Sequence, residues 1–391
     1  MRSRVAAAAM VLATPCFVSA QPPAPRVRIV EELRLDATAE DFPTVSRVVV
    51  GPDGEMLVPI IQDMQLRVYD STGARVAVVG RRGAGPGEFE ALNVIGWLGD
   101  TLWITDRTQR RTSFIGPEYS LLRTEVWPQY EEAPSGREGR IRFADPMAHR
   151  TDGSVLERAF LQHTANRSDD ARLVYVLRSP SGARRMLFDA GRSEEDPSMM
   201  VLSGFGRPVP FALTAQYAIA YDASRIARLA ATLPRGADGS WSVTVVGPRG
   251  DTLAARTFPF RGAPIPRRAA DSALAAMMPR AGRASEGPVD LPQRFQALAR
   301  ERMPSVYTPV ETILLGLDRT IWIGMRPTDE GRLMLILNGR AEPIGMLLLP
   351  TSTRVRQATA TRVWVTETDA DGLSSVVRYR VVGLSCGSTG C

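Results

Sequence analysis

The chain has 391 residues, of which 44% are hydrophobic and 23% are charged. This composition is typical of a globular protein and excludes a disordered, collagenous or coiled-coil chain. The net charge of +6 is too small and too dispersed for a nucleic-acid-binding protein. All 48 basic residues are arginines, whose planar guanidinium groups pair with carboxylates in a fixed geometry, so the surface suits acidic ligands.

The first twenty residues have the pattern of a secretory signal peptide. Arg2 and Arg4 form a positively charged start, an apolar run follows, and Val18-Ser19-Ala20 is a small-residue cleavage site. Lipidation of Cys16 is the alternative, which the preceding proline disfavours. No later segment has the apolar length of a transmembrane helix. We therefore expect cleavage near Ala20 and a soluble mature protein, either periplasmic or secreted.

Two cysteines remain after this cleavage, both in the C-terminal tail of residues 385–391. Cys386 and Cys391 are a candidate disulfide in an oxidising compartment. Two thiols alone are too few ligands for a metal site.

A short motif recurs along the chain, with a turn followed by alternating apolar residues that often include tryptophan. Six copies occur, at residues 53–58, 100–106, 152–157, 216–222, 318–324 and 360–367. An apolar run precedes each copy, and a second hairpin with a polar turn follows it, most clearly at residues 66–79. Four antiparallel strands with polar turns make one propeller blade. The sequence therefore predicts an all-β fold, a six-bladed β-propeller over residues 21–384.

The last blade predicts how the ring closes. The sixth copy ends at Val382 after only three strands, whereas Arg28 to Leu35 is an extra strand before the first blade. Pairing of this N-terminal strand with the last blade would remove an open sheet edge. Trp103, Trp322 and Trp364 should then occupy equivalent buried sites in their blades.

Residues 78–89, Val-Val-Gly-Arg-Arg-Gly-Ala-Gly-Pro-Gly-Glu-Phe, resemble the segment Gly-x-x-Gly-x-Gly-Pro-Gly-x-Phe that joins NHL repeats. The following Leu102 to Asp106 and Arg111 fit the NHL pattern, with tryptophan in place of the usual tyrosine. The specific match covers Phe42 to about Trp127. This resemblance implies a six-bladed NHL-repeat propeller, in which the acid caps the following turn and meets an arginine.

Strand direction places three features on one face, which we call the top face. They are the glycine-rich segment Gly80 to Gly87, the acids Asp106, Asp222 and Glu367, and an insertion from Pro266 to Met303 between blades 4 and 5. The insertion is predicted to contain two helices, at residues 269–278 and 295–303. It is either a solvated cap or a basic lid over a ligand pocket.

The glycine-rich segment and the acids also have alternative interpretations. A phosphate cradle would need a lysine and a following helix, and this segment has neither. It is therefore predicted to connect two blades tightly. The acids either cap turns or form a ring that holds a ligand or a divalent metal such as Ca²⁺.

Catalytic motifs are scarce. His149 and His163 are the only histidines, whereas propeller lyases rely on several, and no serine lies in Gly-x-Ser-x-Gly. The leading hypothesis is a monomeric, non-catalytic recognition module that binds a peptide, a protein or an anionic ligand on the top face without a cofactor. The alternatives are a hydrolase or lyase with a carboxylate-bound divalent metal in the central channel, and a structural scaffold. The candidate ligand-binding residues are Asp106, Arg111, Asp222, Arg225, Arg326 and Glu367.

Overall fold

The computed structural model describes residues 24–128, 139–162, 171–192, 195–202, 205–232, 236–277 and 290–384. These residues form six four-stranded antiparallel sheets, one two-stranded hairpin and two helices. The predicted signal peptide, the tail with Cys386 and Cys391, and His163 lie outside the described residues.

The six sheets are the predicted blades, and the six-bladed propeller is confirmed. Blade 1 comprises β2 to β5 at Val49–Val50, Met56–Ile60, Gln65–Tyr69 and Arg75–Val79. Blade 2 comprises β6 to β9 at Ile95–Leu98, Thr101–Asp106, Arg111–Ile115 and Leu121–Val126. Blade 3 comprises β10 to β13 at Arg140–His149, Val155–Gln162, Ala171–Arg178 and Arg184–Arg192. Blade 4 comprises β16 to β19 at Gln216–Ile219, Ile226–Ala231, Asp238–Val246 and Thr252–Arg261. Blade 5 comprises β20 to β23 at Val310–Leu315, Ile321–Met325, Arg332–Leu337 and Pro343–Leu349. Blade 6 comprises β24 to β26 at Thr353–Ala358, Arg362–Thr368 and Ser374–Val382, followed in space by β1 at Arg28–Leu35.

Short polar turns set the register within the blades. In the turn between β4 and β5, the Asp70 carboxylate accepts hydrogen bonds from the backbone N–H groups of Thr72 (2.8 Å) and Ala74 (3.0 Å). Gly73 in the same turn has φ +92°, a left-handed conformation that glycine adopts at little cost.

Strand β1 closes the ring, as predicted. It pairs antiparallel with β26, from Arg28 opposite Val382 to Leu35 opposite Val376. The register shifts next to Glu32, and the Glu32 carboxylate lies 2.8 Å from Arg362 Nε. Closure therefore combines backbone pairing with an ion pair inside blade 6.

The three tryptophans occupy equivalent buried sites, as predicted, and each of these sites lies between two neighbouring blades. Trp103 of blade 2 packs against blade 3, Trp322 of blade 5 packs against blade 6, and Trp364 of blade 6 packs against blade 1. Their exposed fractions are 0%, 0% and 4%. The large core side chains therefore fill the spaces between neighbouring sheets.

The insertion between blades 4 and 5 contains the two predicted helices, with shifted bounds. Helix α1 spans Arg267–Ala275 and α2 spans Leu291–Arg302. They pack on a hairpin that the sequence did not predict, formed by β14 (Met199–Leu202) and β15 (Phe205–Pro208). Phe295 and Ala299 of α2 are fully buried against Met200 and Val209. The helices and the hairpin therefore share a small core of their own.

Blade 4 corrects one sequence interpretation. The prediction that residues 216–222 are a second strand is wrong, because Gln216–Ile219 is the first strand, β16. The second strand is β17, which has Ala227 and Leu229 instead of tryptophan as its fully buried residues. Asp222 therefore lies in the turn between β16 and β17 and is not equivalent to Asp106.

Candidate functional site

The loops of each blade divide between two faces. The top face carries the loops after the second strands and the connections between blades; the bottom face carries the turns between first and second strands. Four candidate residues lie at the top face, at the ends of second or third strands: Asp106, Arg111, Arg326 and Glu367. Asp222 and Arg225 lie in a bottom turn. The structure therefore places the six predicted ligand-binding residues on two different faces of the propeller.

Asp106 stabilises the connection between blades 1 and 2. Its fully buried carboxylate accepts hydrogen bonds from the backbone N–H groups of Glu90 (2.7 Å), Ala91 (3.2 Å) and Gln109 (3.0 Å). The contact with Gln109 caps the turn after β7, which is the role that the NHL resemblance implies.

Arg111 holds the glycine-rich segment. Its guanidinium donates to the carbonyl oxygens of Ala84 (3.1 Å), Gly85 (2.7 Å) and Glu88 (2.8 Å). The resemblance implied that the arginine would meet the acid, but the observed partners are carbonyl groups. Gly80 to Gly87 thus serves as a tight connection between two blades.

Glu367 joins three strands of blade 6. One carboxylate oxygen accepts from the Tyr379 hydroxyl at 2.6 Å, and the other accepts from Arg34 at 2.8 Å. Burial raises the pKa of Tyr379, and the adjacent Glu367 carboxylate raises it further. Both oxygens of Glu367 therefore serve the closure of the ring.

Arg326 belongs to a group of four arginines, which we call the arginine cluster. Its members are Arg326, Arg332, Arg354 and Arg356. Arg332 lies 2.8 Å and Arg326 3.6 Å from the Glu311 carboxylate. Arg356 donates instead to the Thr366 hydroxyl at 2.9 Å and the Val45 carbonyl at 3.0 Å. Among the described residues, Glu311 is the one carboxylate that forms ion pairs with the cluster.

The arginine cluster therefore carries uncompensated positive charge. Burial lowers the pKa of Arg354, the charge of Arg332 lowers it further, and Glu311 opposes both effects. Burial also lowers the pKa of Arg356, and the charge of Arg354 adds to this effect. An anion placed here would relieve the repulsion between the guanidinium groups.

A groove of about 1110 Å³ begins at Arg326 on the top face of blade 5 and follows the outer strand β23 to Arg26, which forms a β-bridge with Met346. Its positive residues are Arg26, Arg28, Arg261 and Arg326, and its negative residues are Asp329 and Glu330. Its apolar walls include Tyr307, Met325, Leu333, Met346 and Leu348. Neither helix of the insertion contributes a described residue to this groove. The groove therefore gives no support to the hypothesis that the insertion is a lid over a ligand pocket.

Sequence reasoning missed most of this region. Arg354 and Arg356 lie in the first strand of blade 6, in the stretch Thr-Arg-Val-Arg-Gln. Charged residues at alternating positions of an inner strand, where apolar residues prevail, were the available signal. Glu311 gives a similar signal at the start of β20.

Asp222 and Arg225 line a different cavity, of about 350 Å³, on the bottom face. The Asp222 carboxylate accepts from the Ser224 backbone N–H at 2.9 Å. Arg225 makes a long hydrogen bond of 3.5 Å to the Gly339 carbonyl.

The described residues offer few side chains that could bind a metal or act as a catalytic histidine. Among them, no three His, Cys, Asp or Glu side chains come together. His149 lies in the core, with its ring centroid 4.9 Å from that of Trp103 and 5.1 Å from that of Phe114. Burial lowers the pKa of His149 to about 4, so its ring is neutral at pH 7.

No helix within the described ranges has the length and apolarity needed to cross a bilayer.

The sheets define the class of the protein, a six-bladed β-propeller. Neither a protein-family model nor a curated protein sequence matches the chain. Similar solved structures include a DUF4221 family member from Bacteroides vulgatus, with 12% identity and a TM-score of 0.49, covering 93% of this chain and 100% of that one. Another is regucalcin, a calcium-binding protein from Agrobacterium tumefaciens, with 11% identity and a TM-score of 0.39, covering 92% and 97%. Nothing about the function of this chain follows from these likenesses, and membership of the NHL-repeat family stays a prediction.

Proposed function

We propose that this protein is an exported, non-catalytic recognition module whose top face binds an acidic segment of a protein or peptide. The observation that carries the proposal is the excess of arginine over carboxylate beside the groove at blade 5. Of the four guanidinium groups of the arginine cluster, those of Arg326 and Arg332 share the carboxylate of Glu311, and those of Arg354 and Arg356 form no ion pair among the described residues. Guanidinium groups bind carboxylates in a bidentate geometry, so acidic side chains are the matching ligands.

The groove adds an apolar component to the recognition. Leu348 is 44% exposed, and Tyr307 and Met346 line the groove with it. The guanidinium of Arg326 stacks over the Tyr307 ring at 4.7 Å, which fixes one positive group at the groove wall. A peptide that alternates acidic and apolar side chains would use both kinds of contact.

The test is fluorescence anisotropy with a labelled peptide of alternating Glu and Leu. The same peptide with Gln in place of Glu is the ligand control. The purified mature protein should bind the Glu peptide at least about tenfold more tightly, a difference of about 1.4 kcal/mol. Binding should weaken as salt is added, because exposed charges are screened.

Two matched double variants locate the site. Arg26→Glu with Arg261→Glu reverses two exposed charges in the groove and should weaken binding of the Glu peptide by about tenfold or more. Arg249→Glu with Arg340→Glu makes the same charge change in bottom turns and should leave binding as in the wild type. Equal affinity for the Glu and Gln peptides, or equal effects of the two double variants, would contradict the proposal.

A further inference from the structure

The bottom-face cavity lies on the propeller axis. Its walls come from β6 of blade 2, the β16–β17 turn of blade 4, the β20–β21 turn of blade 5 and the end of β24 in blade 6. Blades 2 and 5 are opposite each other in a six-membered ring, so a cavity that both line must span the centre. Its volume of about 350 Å³ suits a small molecule.

The floor of the cavity is fixed by a contact across the axis. Gln357 Nε2 of blade 6 donates to the Tyr221 hydroxyl of blade 4 at 3.1 Å. The Tyr221 ring also lies against blade 2, where a Cβ added at Gly96 would come within 3.1 Å of its Cδ1. Because Gly96 has no side chain, the Tyr221 ring can lie against this strand of blade 2. A floor braced from three blades can hold a ligand with little reorganisation.

The charge of the cavity favours an anion. Arg225 and Arg319 line it, and neither forms an ion pair among the described residues. Burial lowers the pKa of Arg225, the charge of Arg319 lowers it further, and Asp222 opposes the shift. Two guanidinium groups thus face one carboxylate, and that carboxylate also accepts the Ser224 N–H.

The remaining walls favour a flat apolar group. Trp97 and Tyr221 provide aromatic surface, and Leu317 provides an exposed aliphatic one. A flat ring can pack on these aromatic walls and against Leu317.

We infer that this cavity binds a small aromatic carboxylate, whose carboxylate lies between Arg225 and Arg319 and whose ring packs on Trp97 and Tyr221. This site lies at the propeller axis on the bottom face, whereas the groove proposed for the acidic segment runs from the top face along the outer strand of blade 5. It takes a different ligand, so the two proposals stand independently.

The test is isothermal titration calorimetry of the mature protein with benzoate and with its neutral isostere, benzamide. Benzoate should bind with a Kd of about 1 mM or tighter, as expected for a ligand with few atoms. Benzamide should bind at least about tenfold more weakly, because it lacks the charge that the arginines pair with.

Three variants test the residues. Arg225→Gln should weaken benzoate binding by about tenfold or more. Arg319→Asn should do the same, and asparagine tolerates the left-handed φ of +76° at this position, so folding is preserved. Arg249→Gln changes an exposed arginine in another bottom turn of blade 4 and should bind benzoate as the wild type does.

Three outcomes would overturn the inference: equal binding of benzoate and benzamide, undiminished benzoate binding by both pocket variants, or no saturable benzoate binding up to about 10 mM. The Arg26→Glu, Arg261→Glu variant should bind benzoate normally. Its result separates a failure of this site from a failure of the top-face groove.

Discussion

At the scale of single residues, arginine has two distinct roles in this protein. Arg111 donates three hydrogen bonds to backbone carbonyls and stabilises a loop, whereas Arg225 and Arg354 have lowered pKa values and little compensating charge. Arginines of the first kind contribute to stability, and those of the second kind are the ones proposed to bind a ligand. The role of an arginine in this protein therefore depends on the groups that its guanidinium contacts.

Trp103 tests the core between blades 2 and 3. Truncation to alanine removes a fully buried ring and should lower the free energy of unfolding by about 3–5 kcal/mol. Leu122→Ala, in the same blade, removes a side chain that is 56% exposed and should change it by less than about 0.5 kcal/mol. Chemical denaturation measures both, and similar values for the two variants would contradict the assignment.

His149 should make stability depend on pH. Its pKa in the folded protein is about 4, below the ordinary value of 6.5, so the unfolded chain takes up the proton first. The stability is complete above the unfolded pKa and falls as the pH drops from there towards 4. Between about pH 7.5 and about pH 5.5 this group should cost about 1.4 kcal/mol, and His149→Phe should remove that part of the loss.

Urea titrations at several pH values measure this difference. The sequence has only two histidines, so proton NMR can follow their ring signals directly. A His149 signal that titrates near its ordinary value in the folded protein would refute the prediction.

At the scale of elements, the sequence predicted strands well where turn and core signals coincided. Blade 2 has a glycine-rich connection, a buried tryptophan and the capping Asp106, and its second strand was placed correctly. Blade 4 lacks a tryptophan in β17, and the apolar residues of the preceding strand, Gln216–Ile219, matched the pattern of a second strand instead. That shift by one strand moved Asp222 and Arg225 to the wrong face.

The hairpin β14–β15 shows a second limit of sequence reasoning. Its residues have no strong strand signal of their own, and Met200 is buried by Phe295, which is distant in the chain. The arginine cluster has the same origin, because Glu311, Arg332 and Arg354 meet only after blades 5 and 6 pack together. Contacts between distant segments, unlike local turns, leave no periodic pattern.

Phe295 tests whether the small core of the helices and hairpin is independent of the blades. Phe295→Ala should speed amide hydrogen exchange in α1, α2 and the β14–β15 hairpin, because a fully buried ring is lost. Exchange in β7 should stay unchanged. Arg294→Ala, on the exposed side of α2, is the control and should leave both regions as they are. Faster exchange throughout the blades would show one continuous core instead.

At the scale of the whole molecule, stability depends on closing the ring. A chain that begins at Ala37 lacks β1, leaves β26 as an open edge and removes Glu32 from Arg362. It should unfold at a lower temperature and self-associate, as calorimetry and light scattering would show. A chain that begins at Ala24 keeps β1 and is the control. Identical melting and size for both chains would disprove closure by β1.

Export is a second prediction for the whole chain. Mass spectrometry of the protein from its native source should find Gln21 as the first residue, because Val18-Ser19-Ala20 fits the cleavage pattern. A retained Met1, or a lipidated Cys16 at the N-terminus, would contradict cleavage near Ala20.

The pairing of Arg28 with Val382 also has a consequence for the time course of folding. Strand β1 is synthesised first, but its partner β26 is synthesised last, so the two can meet only when the chain is nearly complete. Contacts between such distant residues are slow to form, because a long loop must close before any of its contacts are made. We therefore predict that ring closure is the last step of folding, and a chain that has not yet closed exposes the unpaired edge of β26, which invites aggregation.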